Sequence, residues 1–169
     1  MYNGELSYKE IEEDYLSHLY GKDWQQFREY LLKLEEAIPF DFFSRDNARL
    51  RENCHTDPVM AKSIAGIREI TKEGRKIIKA HYNSDYRVRT VGLRLLEKHA
   101  DYCDLTSDWI GAKARGELEL AKELLEVARI EFGKFEAEIR RYFDHGMIFG
   151  EFYHTLAVTS KSKVAGVQI

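Results

Sequence analysis

The sequence contains little of what builds disulfide frameworks, cysteine metal sites or membrane spans. Its 169 residues include two cysteines, Cys54 and Cys103, whose number and spacing fit neither a disulfide framework nor a metal motif. We expect both to be small buried hydrophobic residues. No apolar run reaches the roughly 18 residues that a membrane-spanning helix needs, so no membrane partner is expected. Residues 1–20 are acidic and polar, which predicts that no signal peptide lies there.

Proline and the familiar catalytic motifs are also scarce. Pro39 and Pro58 are the two prolines, and both fall at predicted helix boundaries. The sequence has no glycine-rich phosphate loop, no Gly-x-Ser-x-Gly turn and no His-Glu-x-x-His zinc motif. Carboxylates are plentiful, but most fall on predicted solvent faces of helices, whereas glycosidase chemistry needs two that converge across a cleft. No catalytic residue and no cofactor is therefore predicted.

What the sequence does have is helical periodicity. Seven residues near the end of the chain repeat in steps of four and three, which places them on one stripe of a helix. They are Ala121, Leu125, Ala128, Phe132, Phe135, Ile139 and Tyr142. The same analysis predicts an all-α fold of one domain over residues 1–169, an antiparallel bundle of about five helices with an irregular aromatic C-terminal tail.

Local signals set the expected helix boundaries. The capping box Ser7–Glu10 starts the first helix and Gly21 ends it, while Asp57-Pro58 starts the third. The second helix is predicted from Trp24 to Ile38 and the fourth from Tyr86 to Arg115, and the fifth should end near Phe143. In the connector between the second and third helices, Arg49–His55 could form a short helix. We expect Tyr8, Ile11, Tyr15 and Leu19 to form the buried stripe of the first helix.

Charge is unevenly distributed along the chain, whose net charge is −3. Residues 61–100 carry ten basic and four acidic groups, while the flanking segments are acidic. This segment could bind a polyanion through Lys72, Lys76, Lys79, Arg87 and Arg94. We favour the simpler interpretation, in which a basic helix packs between acidic neighbours and nucleic acid is not the partner.

Two Glu-x-x-His pairs offer an enzymatic alternative. They are Glu52 with His55 and Glu151 with His154, and di-iron bundles use such pairs together with glutamates from two further helices. Neither pair falls in a predicted long helix, so the sequence predicts no metal site, and a metal-dependent bundle enzyme stays the alternative. His99, beside Asp101, is expected to be a structural histidine at the core edge.

Two segments resemble a known family. The first runs from Tyr15 to Leu34, with the break Tyr20-Gly21 between two helices and Tyr30-Leu31 along the second. The other segment is Arg87–Tyr102, followed by the hairpin sequence 114–121. Both resemble the helices that follow the barrel in bacterial glycoside-hydrolase-like proteins of the family-20 type, many of which carry a domain of unknown function.

The resemblance implies a non-catalytic role for this chain. The adjacent Asp-Glu pair of family-20 enzymes does not occur in the sequence, so no catalytic residue carries over. The chain would be the C-terminal helical part of a larger glycoside hydrolase, with the catalytic barrel of the same polypeptide as its partner. Exposed tyrosines and Trp24 or Trp109 would form the docking face. The sequence leaves two alternatives open: the chain could form a homodimer, and it could be a module that binds a polyanion or a protein. A cytoplasmic location is slightly favoured.

Overall fold

A computed structural model describes residues 6–38, 56–82 and 85–142, and within these ranges every regular element is an α-helix. The all-α prediction is therefore confirmed. The helices are α1 Tyr8–Tyr20, α2 Trp24–Ala37, α3 Pro58–Ala65, α4 Ile67–Ala80, α5 Arg87–Ala114 and α6 Leu118–Ile139. The predicted short helix Arg49–His55 and the aromatic C-terminal tail lie outside the described residues.

The helix that the sequence predicts from Pro58 onward is interrupted at Gly66. The N–H of Gly66 donates to the Ser63 carbonyl at 3.3 Å, a contact three residues back that tightens the turn. Glycine has little intrinsic preference for the helix interior and offers no side chain to hold the regular pitch. The predicted third helix is thus two segments, α3 and α4. The last helix is shorter than expected, since α6 ends at Ile139 and not near Phe143.

The predicted caps of the first helices are present. Ser7 Oγ accepts from the Glu10 N–H at 3.3 Å, and the Glu10 carboxylate accepts from the Ser7 N–H at 2.7 Å. Gly21 has φ of +85°, a left-handed conformation that residues with a Cβ rarely adopt. Its N–H donates to the Ser17 carbonyl at 2.8 Å, which closes the end of α1 and turns the chain into α2. The Asp57 carboxylate likewise accepts from the Met60 N–H at 2.9 Å.

The long helix α5 is the centre of the bundle. It contacts α1, α3, α4 and α6, and every residue from Trp109 to Ala114 is buried. Leu93, Leu96, Ala100, Cys103 and Ile110 form one buried stripe of α5. Such burial around the whole circumference is expected of a helix enclosed by neighbours on all sides.

The heptad ladder of α6 packs against α5, as its periodicity predicts. Five of its seven members are buried, Phe135 is partly buried and Tyr142 is exposed beyond the end of the helix. The Tyr102 ring of α5 lies 4.3 Å from the Phe132 ring and 5.6 Å from the Phe135 ring, measured between centroids. These contacts make α5 and α6 one hairpin, turned at Gly116.

Tyr30 carries an unpartnered polar group into the core between α2 and α4. The side chain is buried, and its hydroxyl oxygen has no hydrogen-bond partner among the residues that the structure describes. Burial also raises the pKa of this phenol above its ordinary value. A buried hydroxyl without a partner opposes folding by about 1–3 kcal/mol.

Tyr30→Phe is therefore expected to raise the free energy of unfolding by about 0.5–1 kcal/mol, because it removes the desolvation penalty and keeps the ring. Urea titration followed by circular dichroism measures this change. A loss of more than about 1 kcal/mol, as for a hydrogen-bonded tyrosine, would contradict the assignment. Tyr82→Phe is the matched comparison, since the Tyr82 hydroxyl donates to the Glu97 carboxylate, and this variant should lose stability.

Candidate docking surface

The predicted buried stripe of α1 is largely on the surface, which corrects the sequence analysis. The exposed fractions are 80% for Tyr8, 37% for Ile11 and 64% for Tyr15. The buried residue of this helix is Leu16, one position away from Tyr15. α1 has apolar residues over about half of its circumference, and its neighbours α2 and α5 cover one side of that arc. On the other side, Tyr8, Ile11 and Tyr15 are exposed.

The open side of α1 continues onto α2 as a shallow groove of about 340 Å³. We call this the α1–α2 groove and define it by Tyr8, Ile11, Tyr15, Leu31 and Leu32. Leu31 and Leu32 are half-buried. An ion pair crosses the groove, in which Arg28 Nε donates to the Glu12 carboxylate at 2.9 Å. Apolar side chains thus line the groove together with one ion pair, and this ion pair joins the two helices.

Two acidic residues line the α1–α2 groove, Glu12 on α1 and Glu35 on α2. Glu12 is paired with Arg28, which leaves Glu35 as the exposed carboxylate of the lining. Asp14 on α1 directly precedes Tyr15 in the sequence, and Glu36 on α2 follows Glu35; both are exposed. The surface is therefore apolar at its centre, with carboxylates near it.

Of the two tryptophans that the sequence analysis offers for a docking face, Trp109 is excluded. It is 2% exposed and belongs to the core at the C-terminal end of α5. Trp24 is half-buried at the first position of α2. Tyrosine accounts for the exposed aromatic surface of α1.

A polar ladder joins α4 to α5, and the sequence analysis missed it. The Asp104 carboxylate, with 13% of its side chain exposed, accepts from Thr71 Oγ1 at 2.5 Å and from Arg75 Nη2 at 2.8 Å. Arg75 also donates to Asp101, and Arg68 donates to Asp108. The sequence signal is charged residues at heptad spacing, Arg68 with Arg75 and Asp101 with Asp108. The sequence analysis expects basic and acidic helices to pack together, but it does not identify these pairs.

This ladder explains much of the positive charge of the middle segment. Arg68 and Arg75 pair with carboxylates of α5, as the simpler interpretation of the charge pattern predicts. Lys72 pairs with Glu69, and Lys76 with Glu73, within α4. Of the other residues considered for a polyanion site, Lys79, Arg87 and Arg94 are exposed.

His99 and Cys103 lie next to each other on α5. The two ring nitrogens of His99 are 3.8 and 3.9 Å from Cys103 Sγ. Burial raises the pKa of the Cys103 thiol to about 12. Packing around His99 also lowers the pKa of its imidazole by desolvation, although His99 is exposed by accessible surface. Cys103 is buried as expected, and its thiol is held in the unreactive protonated form. Asp101 pairs with Arg75 and not with His99.

The candidate metal ligands Glu52, His55, Glu151 and His154, together with Cys54, lie outside the described residues. Within the described ranges, His, Cys, Asp and Glu side chains nowhere form a group of three that could hold a metal ion. No helix in those ranges is long and apolar enough to cross a membrane. Lys113 is buried near the end of α5, and burial lowers its pKa to about 8.

The described surface of this chain thus offers an apolar groove on α1 and α2 with carboxylates near it. Comparisons with known proteins find no matching family model, no matching curated protein and no matching solved structure.

Proposed function

We propose that this chain is a non-catalytic helical domain that docks onto a larger partner through the α1–α2 groove. The observation that carries the proposal is the exposure of Tyr8, Ile11 and Tyr15 on successive turns of α1. Large apolar side chains that share one face and surround a groove are typical of a protein–protein contact. Fully burying one such side chain contributes about 1.5–3 kcal/mol.

The acidic edge defines the chemistry of the partner. Glu35 and Glu36 on α2, with Asp14 on α1, disfavour a partner surface that carries carboxylates. The partner surface would be apolar at its centre, with lysine or arginine at its edge. Charge complementarity of this kind fixes the register of an interface.

The finer proposal is that this partner is the catalytic barrel of a glycoside-hydrolase-like protein, in the same polypeptide. It is supported by the resemblance of the Tyr15–Leu34 and Arg87–Tyr102 segments, and by the absence of a catalytic motif in this sequence. In this role the helical domain buttresses the barrel and shapes the edge of its cleft.

An immunoblot of the source organism, with an antibody raised against this chain, tests whether a larger protein exists. We expect a band well above the 19.8 kDa of this chain. A single band at 19.8 kDa would exclude a covalently attached barrel. The isolated chain should also fold and release no chromophore from aryl glycosides. Turnover that survives repurification would contradict a non-catalytic role.

In the larger protein, we expect Ile11→Ser with Tyr15→Ser to detach the helical domain, because the variant removes apolar area from the centre of the groove. Faster release of this domain in limited proteolysis measures the detachment. The matched control is Val127→Ser with Ile130→Ser on α6, since each of these residues is 48% exposed outside the groove.

Two results would contradict the docking proposal. One is equal release in the groove variant and in the α6 control. The other is a dimer of the isolated chain that the groove variant abolishes in analytical ultracentrifugation, which would assign the groove to a second copy.

A further inference from the structure

A second concave site lies at the turn between α1 and α2, where the end of α4 and the start of α5 meet it. We call it the Arg89 cleft. Its volume is about 240 Å³, which is below the size of pockets for drug-sized ligands and suits a small ion or one group of a larger molecule. Lys22, Asp23, His81 and Arg89 line the cleft together with Gly21.

Arg89 is the unusual member of this cleft. Its Nε is buried and has no hydrogen-bond partner among the described residues. The Tyr86 ring lies over it, with its centroid 5.6 Å from the guanidinium carbon. The arginines whose nearby carboxylates are half-buried are paired with them: Arg28, Arg68 and Arg75. A guanidinium that lines a cleft and is paired with no described carboxylate is a site where an anion gains free energy by binding.

The turn at Gly21 leaves room for this guanidinium. A Cβ built on Gly21 would lie 3.0 Å from the Arg89 guanidinium carbon and 3.1 Å from Nη1. Arg89 therefore occupies the space that a side chain at position 21 would fill. The guanidinium lies beside the first residue after α1, and Lys22 follows directly in the sequence. Lys22 is exposed and forms no ion pair with any described residue.

Asp23 supplies the single carboxylate of the cleft, and it lies beside His81. The Asp23 carboxylate lies 3.3 Å from His81 Nε2, and His81 Nδ1 lies 2.8 Å from the Ile77 carbonyl oxygen. Since a carbonyl oxygen only accepts, Nδ1 carries the proton of that contact. Lys22 and Arg89 form no ion pair with Asp23 or with another carboxylate of the described residues, so the cleft holds two cations and one carboxylate.

We propose that the Arg89 cleft binds a phosphate group, either as inorganic phosphate or as a phosphomonoester. The planar guanidinium of Arg89 donates two parallel hydrogen bonds to the phosphate oxygens, and Lys22 balances the second negative charge. A monocarboxylate would leave one of the two cations uncompensated. This site does not depend on the docking proposal, because it shares no residue with the α1–α2 groove.

The test is a titration of the ¹⁵N-labelled chain with inorganic phosphate at constant ionic strength, followed by amide chemical shifts. We expect saturable shifts at Gly21, Lys22 and His81. Arg89→Gln should weaken binding about tenfold, and Lys22→Gln about three- to fivefold. Arg87→Gln is the matched control, because Arg87 is an exposed arginine two positions away that does not line the cleft. Its effect should stay within about twofold.

Several results would overturn the phosphate site. One is the absence of saturable chemical-shift changes, and another is an affinity for acetate equal to that for phosphate. The third is an equal loss of phosphate affinity in Arg87→Gln and Arg89→Gln, since this would indicate binding to general surface charge only. Lys22→Gln keeps the test decisive if Arg89→Gln unfolds, since Lys22 is exposed. A parallel titration with phenyl phosphate identifies the source of the group: tighter binding than inorganic phosphate indicates a phosphoryl group on a larger molecule, and weaker binding indicates the free ion.

Discussion

Asp104→Ala is expected to lower the free energy of unfolding by about 2–4 kcal/mol. Asp104 lies between two helices and accepts from Thr71 of α4 at 2.5 Å and from Arg75 at 2.8 Å. Removal of the carboxylate leaves the buried Thr71 hydroxyl without this acceptor and removes one of the two partners of Arg75. Breaking one member of a buried charged network costs more than the pair contributes, because the remaining groups stay desolvated.

The matched control for Asp104 is a solvent-exposed ion pair within α4, the helix on the other side of the ladder. Glu69 pairs with Lys72 at 3.0 Å, and both side chains are exposed. Glu69→Ala should change the free energy of unfolding by less than about 0.5 kcal/mol. Urea unfolding of the two variants gives the comparison. If Asp104→Ala lost no more than Glu69→Ala, the α4–α5 ladder would contribute no more than surface charge.

The second large effect concerns Gly74, where an alanine should destabilise the fold by about 1–3 kcal/mol. A Cβ at this position would lie within 2.6 Å of three atoms of the Tyr30 ring. Both residues are buried, so the ring can move only by displacing α2 from α4. In an open helix interior the same substitution would stabilise by about 1 kcal/mol, so packing here outweighs helix propensity.

Gly133→Ala provides the opposite case within the same protein. Gly133 is in the interior of α6, and a Cβ there would meet no atom within 4 Å. This variant should gain about 0.5–1 kcal/mol. Thermal and urea unfolding of both alanine variants measures whether the free energy of unfolding falls in Gly74→Ala and rises in Gly133→Ala. The cost of Gly74→Ala should also shrink when Tyr30 is replaced by alanine, and an unchanged cost would show that the ring is not its cause.

The helices were predictable because their signals are local. The capping box at Ser7, the Asp57-Pro58 start and the glycine after Tyr20 act within one turn of helix, so no tertiary information is required. The ladder of α6 was predictable for a related reason, since its apolar residues form one narrow stripe and only one face can be buried.

The orientation of α1 was not predictable in the same way. Its apolar residues cover a wide arc, and Tyr15 and Leu16 are equally good candidates for the buried side. The position of α2 and α5 decides that Leu16 is buried and that Tyr15 is exposed. The α1–α2 groove exists because of that choice.

The charged ladder and the Arg89 cleft depend on register between helices. Asp104 meets Arg75 because α4 and α5 are aligned so that residues 29 positions apart in sequence face each other. Arg89 meets Gly21 across an even longer separation. No local pattern encodes such an alignment, because a charged residue at heptad spacing can equally face water or a partner helix.

The sequence by itself determined the all-α class, the caps at Ser7, Gly21 and Asp57, and the buried face of α6, because backbone hydrogen bonding and side-chain periodicity act over a few residues. The tertiary structure decided which apolar face of α1 stays open, which carboxylates are buried in ion pairs and which arginine is left without one. Those outcomes depend on how whole helices align, and that alignment is set by the combined packing of the core.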